Sequence, residues 1–158
     1  LFSQHLKDYT LYVCSGYEQE EDFYQEYHKE LYETSNIIPM GFVDIESETF
    51  REISYKCTFA ILPSCAEGCA GSILTAMSAG MIPIVSKECG FEDDEVINLP
   101  DCKMETIFGY VVEYSQKDQN WLKNAAKHSM EIVHSRYSKL CFSHSVEKAL
   151  DGVLANTK

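Results

Sequence analysis

Short apolar runs separate longer segments in which apolar residues recur with the spacing of a helix face. Because these runs are too short for buried helices, they predict strands. They lie at residues 9–16, 36–43, 58–64, 82–86 and 108–114. Pro39 lies in the second run and predicts an edge or an end of that strand, because proline cannot donate a hydrogen bond to a neighbouring strand.

Helical periodicity fills the segments between and after these strands. Ser47 is a candidate N-cap. Gly80, with Pro83 just beyond it, is a stop signal for the helix that begins at Ala70 or Gly71. The predicted helices cover residues 21–33, 47–57, 70–80, 118–135 and 138–156.

Alternating strands and helices, with strands that read as continuous apolar runs, are typical of a parallel sheet covered on both faces. A chain of 158 residues predicts one α/β domain, over residues 1–158. A net charge of −12 disfavours binding of nucleic acid or anionic membranes through the whole surface. No apolar run approaches the roughly 18 residues of a membrane span.

The seven cysteines are odd in number and irregularly spaced, which indicates reduced thiols in a cytoplasmic protein. Cys65 and Cys69 lack the close spacing of metal-ligating pairs, so no metal site is predicted. The histidines match no ligand pattern and are expected on helix surfaces. The acidic stretch at residues 91–96 is expected to be a solvated loop or the start of a helix.

Residues 62–86, LPSCAEGCAGSILTAMSAGMIPIVS, carry the candidate chemistry. Ligands of parallel α/β sheets bind beyond the carboxyl ends of strands, where the 58–64 strand gives way to a helix. The amides of Gly71, Ser72 and Ile73 are predicted to be unpaired and to attract a phosphate. Gly68 would let that ligand approach the backbone closely. Alternatively, Glu67 only complements the helix dipole and the glycines only shape a tight turn.

The same stretch resembles the signature of retaining group 1 glycosyltransferases, GT-B-type enzymes with two Rossmann-like domains that include glycogen synthase and sucrose synthase. That signature joins a strand, Pro-Ser, Glu-Gly, a small-residue turn, a Glu-Ala-Met helix, glycine, proline and a second strand. The segments LKDYTLYVCSG and MGFVD resemble the family more weakly. The matching positions are Pro63, Ser64, Glu67, Gly68, Ala76, Met77, Gly80 and Pro83.

The resemblance implies a three-layer Rossmann-like domain, with a mainly parallel sheet flanked by helices, that binds a nucleotide-diphosphate sugar. Glu67 matches the first of two family glutamates and is the expected catalytic residue; Thr75 occupies the position of the second. This departure replaces a charged hydrogen bond by a neutral one. No cofactor or metal is implied beyond the sugar donor. The expected donor-binding residues are Gly68, Cys69, Ala70, Gly71, Ser72, Ile73 and Thr75.

In the family, an Arg and a Lys on a loop after an earlier strand hold the diphosphate, and no such loop precedes Leu1. We therefore expect a fragment of a two-domain enzyme that is inactive alone and lacks a central strand. Another chain or the missing amino-terminal part would cover the open edge, which could also support a homo-oligomer. The resemblance implies a cytoplasmic enzyme of polysaccharide biosynthesis.

Other functions stay open. A non-catalytic Rossmann-like domain that has lost the chemistry is the main alternative, because Thr75 and the missing basic residues weaken the site. A flavodoxin- or receiver-like module is disfavoured because YVCSG carries no acid. A glycosidase would need two carboxylates, and only Glu67 is well placed. Tyr110 and Tyr114 either stack on a ligand or pack in a strand, and Lys87 either reaches a phosphate or is solvated.

Overall fold

The computed structural model describes residues 6–155, over which strands and helices alternate. The strands are β1 (Leu11–Cys14), β2 (Ile37–Gly41), β3 (Phe59–Leu62), β4 (Ile82–Ser86) and β5 (Ile97–Leu99). The helices are α1 (Glu21–Glu33), α2 (Glu48–Lys56), α3 (Gly71–Ser78), α4 (Met104–Ser115), α5 (Gln119–Arg136) and α6 (Lys139–Ala155). Short 3-10 turns cover Tyr17–Gln19 and Lys87–Cys89. The predicted end of the last helix, at residue 156, lies outside the described residues.

All strand pairs are parallel, as predicted, but the strands form two sheets. One contains β1 and β2, and the other has the order β3-β4-β5. Within residues 6–155, β1 and β3 are not paired with each other, and both line a groove of about 880 Å³. Pro39 lies in β2, which pairs only with β1 in the described part of the chain, so the prediction of an edge strand is confirmed.

Strand β4 lies at the centre of the three layers, and all five of its residues are buried. Ile84 packs with Leu99 and Val111, on the side of β5 and α4. Val85 points to the opposite face, because neighbouring side chains of a strand alternate. There it packs in a cluster with Met77 of α3 and Ile132 of α5. The predicted sheet covered on both faces is confirmed.

Local signals account for the helix ends. The Ser47 hydroxyl accepts a hydrogen bond from the Phe50 amide and caps α2, as predicted. Helix α3 ends at Ser78, and Gly80, two residues further on, has a left-handed φ of 86°. The Gly80 amide donates to the Met77 carbonyl and the Met81 amide to the Ala76 carbonyl, which is a Schellman motif.

The predicted strand at residues 108–114 is wrong, because this segment belongs to α4. Ile107, Phe108, Val111 and Val112 recur at helical spacing and pack on the cluster around Ile84. Their apolar and aromatic composition resembles that of a strand, which explains the error. The last strand is β5, whose three residues form too short a run to be recognised.

Replacing Met77 by alanine is expected to lower the free energy of unfolding by about 2–5 kcal/mol, because the buried side chain would leave a cavity. Met104→Ala is the matched control, since that side chain is 42% exposed. Its expected cost is below about 1 kcal/mol. Urea denaturation measures both, and equal losses would contradict this description of the core.

Candidate functional site

The loop between β3 and α3 (residues 63–70, the β3–α3 loop) lies at the carboxyl end of β3 and contains Glu67. It rests on the turn formed by the last residue of β4 and the four residues that follow (residues 86–90, the β4 turn). The Glu67 amide donates to the Glu88 carbonyl over 2.9 Å, and the Ala70 amide donates to the Cys89 carbonyl over 3.3 Å. Most residues of the loop are exposed to solvent. The two hydrogen bonds nevertheless fix its backbone on the β4 turn.

Between Gly68 and Ser72, four of the five amides have no acceptor among residues 6–155; they belong to Gly68, Cys69, Gly71 and Ser72. No side chain of the described residues caps α3, and the first turn of α3 carries no acidic residue. The helix therefore presents unpaired N–H groups and the positive end of its dipole to solvent. Such an end attracts anions.

Two of the predicted donor-binding residues, Ile73 and Ala70, do not have unpaired amides. The Ile73 amide donates to the Ala70 carbonyl over 3.0 Å, so the prediction that it is unpaired is wrong. Ala70 is 2% exposed, and its amide is bonded to the β4 turn, so it offers no group to a ligand through its amide or side chain. The tight start of α3 engages the Ile73 amide and the β4 turn engages the Ala70 amide, and the sequence pattern reveals neither bond.

The candidate residues lie on two neighbouring surfaces. Ser72, Ile73 and Thr75 line the groove between the two sheets. Glu67 and Gly68 lie on the exposed β3–α3 loop and do not line that groove. The Thr75 hydroxyl donates to the Gly71 carbonyl over 3.0 Å, which leaves only its oxygen lone pairs for a ligand.

The cysteines of the loop are free thiols, like the other five. Partial burial, followed by the charge of Glu95, raises the pKa of the Cys69 thiol, so this thiol stays protonated at neutral pH. No group of three or more potential metal ligands occurs in the described part of the chain.

The other candidates lie away from the loop or make no contact that favours a ligand. Tyr110 and Tyr114 are on α4 and do not line the groove, and the ring of Tyr114 lies 5.5 Å from that of Trp121. This packing favours the structural interpretation. Lys87 is exposed on the β4 turn. The described histidines are exposed, as predicted, whereas His5 lies outside the described residues.

The acidic stretch contains an ion pair between a buried carboxylate and a partly exposed arginine, which the sequence pattern does not predict. Glu95 is 3% exposed, and it accepts hydrogen bonds from Tyr137 over 2.7 Å and from Arg136 over 2.9 Å. Asp94 pairs with Arg136 at 2.6 Å. The expectation of a solvated loop holds for residues 92–94 but is wrong for Glu95. No local signal could reveal it, because its partners are distant in sequence.

The comparison with family models decides the family. Residues 2–119 match the model described as glycosyl transferases group 1. The chain belongs to this family. No curated protein gives a significant sequence match. The range matched to this glycosyltransferase family contains all five strands, the β3–α3 loop and α4.

Helices long and apolar enough to cross a membrane are absent from residues 6–155 of this group 1 glycosyltransferase chain.

The pKa of Glu95 predicts an acid-sensitive contribution to stability. Burial alone would raise this pKa, but hydrogen bonds from Tyr137, the Glu92 amide and Arg136 outweigh burial and lower it below the ordinary 4.5. A carboxylate with a lowered pKa stabilises the folded state above its unfolded pKa. This contribution is complete above pH 4.5 and is lost as pH falls further.

We therefore expect Glu95→Gln to lower the free energy of unfolding at pH 7 by about 1–3 kcal/mol, and less at pH 3. Urea denaturation at several pH values measures the difference. Glu92→Gln, at an exposed neighbouring carboxylate, is the control and should cost little. A difference between wild type and Glu95→Gln that is constant from pH 7 to pH 3 would contradict the assignment.

Proposed function

We propose that this chain binds a nucleotide-diphosphate sugar and forms the donor half of a retaining glycosyltransferase. The observation that carries the proposal is the sequence of groups after β3. An exposed carboxylate, Glu67, is followed directly by the unpaired amides of Gly68, Cys69, Gly71 and Ser72. Membership of the group 1 glycosyltransferase family supports the same reaction class.

The amides would bind the diphosphate. During transfer, negative charge grows on the departing phosphate, and N–H groups already aimed at it stabilise that charge without having to reorganise. Ser72 and Gly71 lie in the first turn of α3, where the helix dipole adds to this effect. The chain as a whole carries a net charge of −12, so binding of an anion depends on this local field.

Glu67 would act on the sugar. Its carboxylate can accept hydrogen bonds from sugar hydroxyls and offset the positive charge that develops on the ring as the leaving group departs. Thr75 would accept one hydrogen bond from a donor hydroxyl, because its own proton is engaged by the Gly71 carbonyl. A neutral bond of this kind contributes about 0.5–1.5 kcal/mol, less than a second carboxylate would.

The acceptor, a saccharide or another hydroxyl compound, would bind between this chain and an amino-terminal domain of the same cytoplasmic enzyme. That domain would also supply most acid–base groups, so residues 1–158 alone are expected to be inactive. We expect the enzyme to act in polysaccharide synthesis. A non-catalytic domain that kept this fold and lost donor binding is the alternative outcome of the test below.

Glu67→Ala is expected to weaken donor binding by about 10-fold to 100-fold, as loss of a charged hydrogen bond predicts. Calorimetric titration of the full-length protein with nucleoside diphosphates and their sugars measures this effect. Glu26→Ala, at an exposed carboxylate of α1, is the matched control and should bind like wild type. Absence of binding by wild type would favour the non-catalytic alternative, and unchanged binding by Glu67→Ala would remove Glu67 from the site.

Thr75→Val is expected to raise the donor dissociation constant about twofold to tenfold, because one neutral hydrogen bond is lost at nearly constant volume. Thr49→Val, on the exposed surface of α2, is the control. The same titration measures both variants. An unchanged dissociation constant for Thr75→Val would show that the donor does not contact this hydroxyl.

A further inference from the structure

We propose that Gly90 and Ser86 are positioning residues that hold the β3–α3 loop in its donor-binding conformation. This inference rests on the proposed function and extends it to the β4 turn. Neither residue is among the expected donor contacts, and both act through the loop backbone. Two features of the structure support it: two glycines approach each other closely, and hydrogen bonds lie on either side of that approach.

Gly90 allows the loop to lie directly on the β4 turn. A Cβ atom added to Gly90 would overlap the Gly68 carbonyl oxygen and lie 3.0 Å from the Gly68 carbonyl carbon. Both are backbone atoms, so no side chain can rotate away to relieve the overlap. Any side chain at residue 90 therefore forces the loop or the turn to move.

The positive φ of Gly90 does not by itself explain this requirement. Gly41, Gly80 and Gly90 have φ values of 65°, 86° and 77°. Among atoms of the described residues, an added Cβ would meet nothing within 4 Å at Gly41 and only the Met130 sulfur, 3.7 Å away, at Gly80. The three glycines therefore share the backbone strain of a substitution, but only Gly90 contacts the loop. This difference supplies matched controls.

Hydrogen bonds fix the loop on both sides of Gly68. The Ser86 hydroxyl donates to the Ser64 carbonyl over 2.5 Å, and the amides of Glu67 and Ala70 donate to the β4 turn. The turn is itself firmly packed, because Ser86 is 2% exposed and Cys89 is fully buried. The Cys89 thiol also donates to the Leu62 carbonyl over 3.3 Å.

This arrangement sets the position of the groups that would bind the donor. The unpaired amides of Gly68 and Cys69 lie between the two anchored amides, and Glu67 itself carries the first of these. Groups that stabilise a transition state must be held to within about 0.5 Å, and a displacement of 1 Å can cost about 100-fold in rate. Moving the loop off Gly90 would displace all of these groups together.

The test compares Gly90→Ala with Gly80→Ala and Gly41→Ala in the full-length protein. Amide hydrogen exchange is measured without ligand, and the dissociation constant for the nucleotide-diphosphate sugar bound by wild type is measured by calorimetry. We expect exchange at Glu67 and Ala70 to rise at least about tenfold in Gly90→Ala only, because opening of a local contact raises exchange at the amides it protects. The dissociation constant should rise at least about tenfold in the same variant, by loss of preorganisation.

Ser86→Ala provides a second test that adds no atoms and therefore applies if Gly90→Ala does not fold. Loss of the bond to Ser64 should raise exchange at Glu67 and weaken donor binding about threefold or more, the size of one neutral hydrogen bond. Ser78→Ala is its control, because that hydroxyl is bonded within α3, to the Thr75 carbonyl.

The outcomes separate the two proposals. If wild type binds no nucleotide-diphosphate sugar, both the proposed function and the positioning role fail. If wild type binds and Gly90→Ala binds as tightly as Gly80→Ala and Gly41→Ala, only the positioning role fails. If Gly90→Ala does not fold, the same conclusion follows when Ser86→Ala binds as tightly as Ser78→Ala. Equal exchange at Glu67 and Ala70 in Gly90→Ala and Gly80→Ala would likewise overturn it, because backbone strain alone would then explain the loss.

Discussion

Burial of β4 on both faces is the constraint on which the rest of the structure depends. Ile84 and Val85 are adjacent in sequence yet belong to different apolar clusters, so this one strand joins the two helical layers. It also brings the carboxyl ends of β3 and β4 to one edge, because parallel pairing fixes their direction. The β3–α3 loop and the β4 turn meet at that edge as a direct result.

Much of this fold could be predicted because its signals are local. The cap at Ser47, the stop at Gly80 and the apolar run of β4 each depend on a few neighbouring residues. The error at residues 108–114 has a different origin. Tyrosine, phenylalanine and valine there suit a strand by composition, and only packing against the cluster around Ile84 decides for a helix.

The candidate site was predictable to the extent that it lies in one segment. The strand–turn–helix pattern and the family resemblance single out residues 67–72 as the predicted site, but neither indicates the bond from the Ala70 amide to Cys89, since it joins two separate turns. The same holds for Glu95, whose burial depends on Arg136 and Tyr137 in the distant α5 region. Contacts between segments far apart in sequence are the part that local patterns leave undetermined.

Because the strands form two sheets, two parts of the molecule differ in their resistance to local unfolding. The segment from β1 to α2 buries few apolar side chains, among them Tyr17, Leu31 and Ile53, and none of these belongs to the clusters around β4. Its strands have only each other as hydrogen-bonding neighbours among the described residues. We therefore expect this unit to open at a lower free energy than the β3-β4-β5 sheet. Local unfolding is therefore expected to be rarer around the candidate donor site than in the β1–α2 segment on the other side of the groove.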